Sequence, residues 1–190
     1  MLLWIILIFC IFISVSIVVF YIFSLYCLVK GAPYVSTNKR LVRKTIEMAE
    51  IKAGDKVYDL GCGDGRIVFE ACRKGAIGTG IDVNLTLIWL ARIKNIFLNL
   101  PAKFLAQDLK KHDWSDADVV FCYLLPGIMK NLVPQFQKLK PGTRIISHGF
   151  SIHGWEPVKH FIMDEKRKIG NVFVYRIGGI VNNVEEKEFI

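Results

Sequence analysis

The sequence predicts a doubly wound α/β domain, with a mostly parallel sheet and an antiparallel edge strand, preceded by one N-terminal transmembrane helix. Three observations carry this expectation. None of the 25 Lys and Arg or 17 Asp and Glu residues precedes Lys30, and Met1 to Val29 is almost wholly apolar. Behind that run, short apolar segments alternate with helix-length segments, the pattern of a parallel sheet with crossover helices. At the first strand-to-helix junction stands Asp59-Leu60-Gly61-Cys62-Gly63-Asp64-Gly65, a glycine turn set among acids.

The apolar run exceeds the roughly 20 residues that cross a hydrocarbon core of about 30 Å. A cleaved signal peptide would place basic residues ahead of a shorter apolar stretch, followed by a small-residue cleavage site. Here Leu2 and Leu3 lead into Trp4. A buried core helix is the other reading, but Trp4, Phe9, Phe12, Phe20, Tyr21 and Phe23 surround the helix on all sides at its 3.6-residue period, and such all-round apolarity favours lipid. Lys30, Lys39, Arg40, Arg43 and Lys44 follow with no acid before Glu47. Basic residues stay on the cytoplasmic side of a span, so a single-pass anchor with the C-terminal domain on the cytoplasmic (or matrix) side is expected.

The expected organisation is therefore an anchor at 1–29, a basic juxtamembrane linker and covering helix at 30–51, one domain at 52–180 and a polar tail at 181–190. Cys10, Cys27, Cys62, Cys72 and Cys122 show no paired spacing, so neither a disulfide framework nor a zinc site is indicated. His153 and Glu156 form no metal-ligand pattern, and no metal is expected. The formal net charge of +8 would suit nucleic acid. The chain lacks the aromatic-basic strip of single-strand binders, however, and anionic headgroups explain the juxtamembrane cations as well.

After the linker, Ser36 or Thr37 can cap a helix to about Ile51, with Val42, Ile46 and Ala49 on one face. Lys56 to Leu60 reads as the first strand, and a helix runs from the glycine cluster through Ile67, Val68, Phe69, Ala71 and Cys72. Gly78 to Asp82 makes a second strand, Asn84 caps a helix from Leu85 to about Leu98, and Ala102 to Ala106 makes a third strand. The continuous apolar run Val119 to Tyr123 suits a central strand buried on both faces. A helix from about Met129 to Leu139 and a strand from Thr143 to Ser147 complete the alternation. Val158 to Met163 and Val172 to Ile177 flank the charged turn Asp164-Glu165-Lys166-Arg167-Lys168, and no convincing helix lies between them, so an antiparallel pair is expected at the sheet edge.

Strand, glycine turn and helix present bare backbone at the carboxyl edge of the sheet, where α/β folds bind ligands. A dinucleotide fingerprint needs glycine at its first, third and sixth positions, and Arg66 holds the sixth position counted from Gly61. A phosphate-binding loop would end Gly-Lys-Ser/Thr and would not carry Asp59 and Asp64 beside it. Asp82 ends the second strand, where a carboxylate can accept both hydroxyl protons of a ribose. A cationic sulfonium suits so negative a field.

Residues 59–65 resemble the first motif, an acid followed by Gly-x-Gly-x-Gly, of the Rossmann-like, seven-strand S-adenosylmethionine-dependent methyltransferases. The resemblance implies that Asp59, Gly61, Cys62, Gly63, Asp64 and Gly65 form the cofactor loop, with the glycines against the methionine portion. It implies Asp82 at the ribose and Asp108, in Ala106-Gln107-Asp108-Leu109, at the adenine amine. Asp108 read by itself could equally be a helix cap or turn residue.

Four further segments, Pro33-Tyr34-Val35-Ser36-Thr37, Gly63-Asp64-Gly65-Arg66-Ile67-Val68, Tyr123-Leu124-Leu125-Pro126 and His153-Gly154-Trp155-Glu156-Pro157, narrow the resemblance. They are similar to the archaeal protein-lysine methyltransferases and the mitochondrial lysine methyltransferases related to the ATP-synthase c-subunit enzyme, the latter membrane-anchored. Ser36 departs from the proline of that group. The Asn/Asp-Pro-Pro-Tyr signature of many base-amine methyltransferases is also replaced, by Tyr123-Leu124-Leu125-Pro126.

The resemblance implies a protein lysine as acceptor, in a membrane or membrane-associated protein. A lipid amine or other small acceptor, and a non-catalytic cofactor-binding assembly or scaffold role, are the alternatives. Tyr34, Tyr123, Leu124 and Trp155 are candidate walls of a substrate channel, carbonyls near Leu124 to Pro126 could orient the amine, and His148 could approach it. Tyr123 and Trp155 could instead be core aromatics, and His148 could cap a strand.

Overall fold

The computed structural model describes residues 2–29, 39–164 and 169–178. The linker with Lys30, Tyr34, Ser36 and Thr37, residues 165–168 of the charged turn and the tail at 181–190 lie outside the described residues. Two compact units divide the chain, Met1–Val35 and Ser36–Ile190.

The first unit contains α1 (Leu2–Val29). Side chains 3–22 are all exposed. By length and composition, Leu3–Ile22 is sufficient to cross a membrane. Its two serines satisfy their hydroxyls within the helix, Ser14 Oγ donating to the Cys10 carbonyl (2.9 Å) and Ser16 Oγ to that of Phe12 (2.8 Å). A helix in hydrocarbon needs such internal partners.

In the second unit the elements are α2 (Lys39–Met48), β1 (Lys56–Leu60), α3 (Arg66–Arg73), β2 (Ile77–Asp82), α4 (Leu85–Leu98), β3 (Ala102–Ala106), β4 (Val119–Cys122), α5 (Pro126–Phe136), β5 (Arg144–His148), β6 (Lys159–Asp164) and β7 (Ile169–Arg176). Among the described residues one sheet of seven strands has the order β3-β2-β1-β4-β5-β7-β6. The pairs among β3, β2, β1, β4 and β5 are parallel, and β7 runs antiparallel to both β5 and β6. This is the expected mixed α/β sheet with an antiparallel edge.

Strand β4 shows why the sheet is covered on both faces. All four of its residues are buried, Val119 and Phe121 packing with Val42, Ile46 and Ala71, and Val120 and Cys122 with Met129, Leu132 and Phe136. Successive side chains of a strand point to opposite faces, so α2 and α3 cover one side and α5 the other. Helix α4 joins α3 through Ile88, Ala91, Phe69 and Phe104. Close approach of α3 to β2 requires glycine at position 78, where a Cβ would lie 2.7 Å from Val68 Cγ1.

Helix ends follow local chemistry. The Asn84 side chain accepts from the Thr86 and Leu87 N–H groups, capping α4. Arg144, buried in β5, donates to the carbonyls of Ala49 and Glu50 behind α2 and pairs with Asp55 at 2.6 Å. A guanidinium there satisfies groups that the helix end leaves open.

Boundaries differ from expectation by a few residues in several elements. Helix α5 begins at Pro126, not near Met129, because proline at the first helical position has its φ preset and lacks an N–H that would go unsatisfied. Strand β4 ends at Cys122 and β5 extends to His148, so Tyr123 opens a loop while His148 closes a strand. Strand order reverses between β1 and β4, which opens a crevice at their carboxyl ends.

Candidate active site

The register pairs Leu60 with Ile81 and Cys122, and Cys122 with Ser147. Gly61, Asp82, Tyr123 and His148 therefore emerge along one sheet edge. The loop behind β1 is held by its own backbone: Gly61 N–H and Cys62 N–H both donate to the Ile81 carbonyl, at 2.8 and 3.1 Å, and Gly65 N–H donates to that of Cys62 at 2.9 Å. Gly61, Gly63 and Gly65 have φ of 81°, 53° and 81°. Only glycine takes that region without strain. At Gly65 the space is also closed, since a Cβ would lie 2.6 Å from the Phe104 ring.

The acids divide into three roles. Asp59 is only 6% exposed, and no side-chain hydrogen bond reaches its carboxyl among the described residues. Burial first, and then the neighbouring Asp82 and Asp64, push it up to about 8. Asp82 accepts from the Gly63 N–H through Oδ2 and from the Asn84 N–H through Oδ1, both at 2.8 Å. Burial raises its pKa against those backbone donors. Asp64 is not a free charge beside the turn: Arg66 donates to both its oxygens and Lys94 Nζ lies 2.9 Å from Oδ2. Burial pulls its carboxyl up, but Arg66 and Lys94 together hold it below the ordinary value. Asp64 thus fastens the loop to α4.

The remaining expected residues are spread more widely. The Cys62 side chain turns inward against β2, where a Cβ on Gly80 would meet its sulfur at 2.7 Å, so only its backbone faces the edge. Burial pushes its thiol well up. Asp108 is exposed and uses Oδ1 to accept the Lys110 N–H in a turn; the adjacent Gln107 N–H donates to the Asp82 carbonyl at 3.0 Å. Leu124 is buried against the loop, 3.0 Å from a Cβ built on Gly61.

Tyr123 and His148 meet as tilted rings with centroids 4.0 Å apart. Burial alone lowers the His148 pKa to about 4. The Leu125 carbonyl is already taken by the N–H groups of Ile128 and Met129, and Pro126 heads α5, so neither is a free acceptor for an amine. Trp155 is half-buried and packs against the core at Phe136 and Tyr175, with centroids 6.4 and 6.1 Å away. Tyr34 lies outside the described residues.

Two neighbours escaped the sequence reading. A Cβ on Gly149, at φ 84°, would lie 2.8 Å from the Tyr123 ring, so this glycine seats the aromatic. Its signal was the His148-Gly149 pair directly behind a strand. Val83, between the ribose candidate Asp82 and the cap Asn84, is an apolar side chain left 37% exposed on the site edge.

A buried carboxyl with no side-chain donor among the described residues, bare glycine backbone and an acid closing the next strand together fit a cationic nucleoside cofactor. Residues 59–159 match the family described as the ANTKMT methyltransferase domain. The chain is 37% identical over 155 residues to a protein-lysine N-methyltransferase of Saccharolobus islandicus, covering 79% of this chain and 96% of that protein. It is 30% identical over 128 residues to the human ATP-synthase c-subunit lysine N-methyltransferase, covering 66% of this chain but only 54% of that protein. An RNA methyltransferase from Salinibacter ruber, solved with S-adenosyl-L-homocysteine, superposes with a TM-score of 0.73 at 34% identity, covering 80% of this chain and 100% of that one.

Fold and site together define an S-adenosylmethionine-dependent N-methyltransferase. Within that class, the chain belongs to the ANTKMT methyltransferase family.

Proposed function

We propose that this enzyme methylates lysine side chains of a membrane or membrane-associated protein, and that α1 anchors it in the bilayer with its catalytic domain on the cytoplasmic or matrix side. The observation that carries the reading is one sheet edge that joins Asp59, a buried carboxyl with no side-chain donor among the described residues, to the Tyr123–His148 ring pair, whose imidazole burial keeps uncharged near pH 7. The likeness to the archaeal protein-lysine enzyme over nearly its full length supports lysine as the acceptor.

In this reading the backbone at Gly61 and Gly63 lies along the methionine portion of the cofactor, and Gly65 holds α3 against Phe104. Each Asp82 oxygen keeps a second lone pair for a ribose hydroxyl, Val83 covers the adenine, and Asp108 Oδ2 accepts from its amine. Asp59 ionises beside the cationic part. The bound cofactor supplies a methyl group on sulfonium, a leaving group that needs no strong acid.

The attacking nitrogen must be neutral, and lysine has an ordinary pKa near 10.4. Apolar walls such as Leu124 favour the neutral amine by withholding water from its charged form. His148, uncharged near pH 7, accepts a hydrogen bond from the amine without repelling it, and Tyr123 fixes the approach. Alignment of this kind supplies most of what an in-line displacement requires.

Transfer of labelled methyl groups in whole membranes, followed by mass spectrometry, tests the proposal. Label on lysine in the protein precipitate is expected. Label extracting into organic solvent would assign a lipid amine or small acceptor instead, and nuclease-sensitive label would assign RNA.

A further inference from the structure

Helix α4 turns Ile88 and Ala91 toward the sheet, yet its opposite side is not polar. Leu85, Trp89, Leu90, Ile93, Ile96 and Phe97 all stand exposed, Phe97 at 83%, Ile96 at 76% and Trp89 at 64%. At 100° per residue these six fall within one sector facing away from the buried pair. Trp89 and Phe97 alone leave roughly 300 Å² of aromatic surface open, as such side chains cover 150–250 Å² each. Soluble monomers rarely keep a larger apolar patch than a few hundred Å² without a partner.

Beside the apolar sector lies a cleft of about 470 Å³ between α4 and β3, lined by Arg92, Asn95, Ile96, Asn99 and Lys103 among others, with no acid among the described residues of its lining. Arg92 is held in place by donating Nε and Nη2 to the Phe104 carbonyl, at 3.0 and 2.7 Å. Trp and Phe beside Arg and Lys match the layering of a lipid interface, where rings sit at headgroup depth and cations meet phosphate. The linker at 30–38 adds a constraint, because an extended chain of that length reaches about 30 Å. An anchored α1 would hold the domain at the bilayer surface.

We propose that the exposed face of α4 docks on an anionic lipid surface, with Trp89, Ile96 and Phe97 in the interface and Arg92 and Lys103 on headgroup phosphates. The proposal rests on the membrane-anchored reading above. Docking would fix which side of the domain faces the bilayer, and so where the Tyr123–His148 edge stands above it.

The test uses the Ser36–Ile190 unit, which is compact and has its own core. Sedimentation with vesicles of phosphatidylcholine and phosphatidylglycerol, 7:3, should give binding with a blue shift of tryptophan emission. Trp89→Ser with Phe97→Ser should weaken that binding at least about tenfold, given the apolar area removed. Lys103→Glu should weaken binding to these vesicles and leave affinity for S-adenosylhomocysteine unchanged.

Failure of the parent unit to bind, or binding unchanged in both variants, would overturn the proposal. So would a concentration-dependent dimer that the double variant abolishes. Carbonate extraction of the full chain reads α1 separately: retention in the pellet with no vesicle binding by the domain would refute α4 docking alone, whereas release would refute the anchor.

Discussion

Replacing Asp59 with Asn keeps the shape of the side chain and removes its titration, which isolates the role of the buried carboxyl. With its pKa pushed to about 8, this group is roughly nine-tenths protonated at pH 7 when no cofactor is bound. If a cationic ligand requires the carboxylate, binding at pH 7 must release that proton at a cost of about 1.4 kcal/mol, a factor of ten in affinity. Affinity of the parent enzyme for S-adenosylmethionine should therefore rise about fivefold from pH 7 to pH 8 and about tenfold in all by pH 9, levelling off above it. Calorimetry in buffers of different ionisation enthalpy should show close to one proton released at pH 7 and little at pH 9, after subtraction of the Asp59→Asn values. The same group sets a stability trend. The folded protein keeps a proton that the unfolded chain loses near pH 4, so folding stability falls by about 1.4 kcal/mol per unit as pH rises from about 4 to about 8. Asp59→Asn should flatten this slope. Identical proton release and identical pH slopes in the two proteins would refute the argument.

Asp82→Asn leaves one acceptor where Gly63 and Asn84 need two, and should weaken cofactor binding ten- to a hundredfold with a small drop in Tm, read by calorimetry and thermal melts. His148→Ala and Tyr123→Phe, assayed at saturating cofactor, should each lower kcat by about tenfold or more; full turnover and unchanged substrate affinity in both would remove them from the chemistry. The burial that holds His148 near 4 makes the folded state refuse a proton that the unfolded chain binds below about 6.5, so its share of stability is lost as pH falls from there toward 4; His148→Ala should reduce that acid-side loss in urea titrations. Gly65→Ala adds a Cβ at a positive φ and against Phe104, and should cost about 2 kcal/mol or more in chemical unfolding.

Much of the fold was legible because its signals are local. Asn84 announced α4 by its capping chemistry, the four apolar residues of β4 announced a strand covered on both faces, and the glycine loop announced the edge at which a ligand binds. The start of α5 was misplaced because Leu125-Pro126 reads equally as a turn, and only the path of the chain off β4 selects the helical first turn. The candidate site was less legible, since identity at a motif position does not fix the direction of a side chain. Cys62 and Asp64 sit in the same loop as Gly61, yet one turns into the core beside Gly80 and the other is bound by Arg66 and Lys94.

By itself the sequence determined the division between an apolar helix and a charged α/β domain, the order of strands and helices, and the acid-glycine loop. Each depends on residues near one another in the chain, through periodicity, capping or turn chemistry. Tertiary structure decided the rest: that Asp59 lies buried with no side-chain donor among the described residues, that Trp155 packs half-buried against the core, that His148 meets the Tyr123 ring, and that α4 keeps an apolar face open. These depend on which distant segments meet across the sheet, and burial, charge and hydrogen bonding are properties of that meeting.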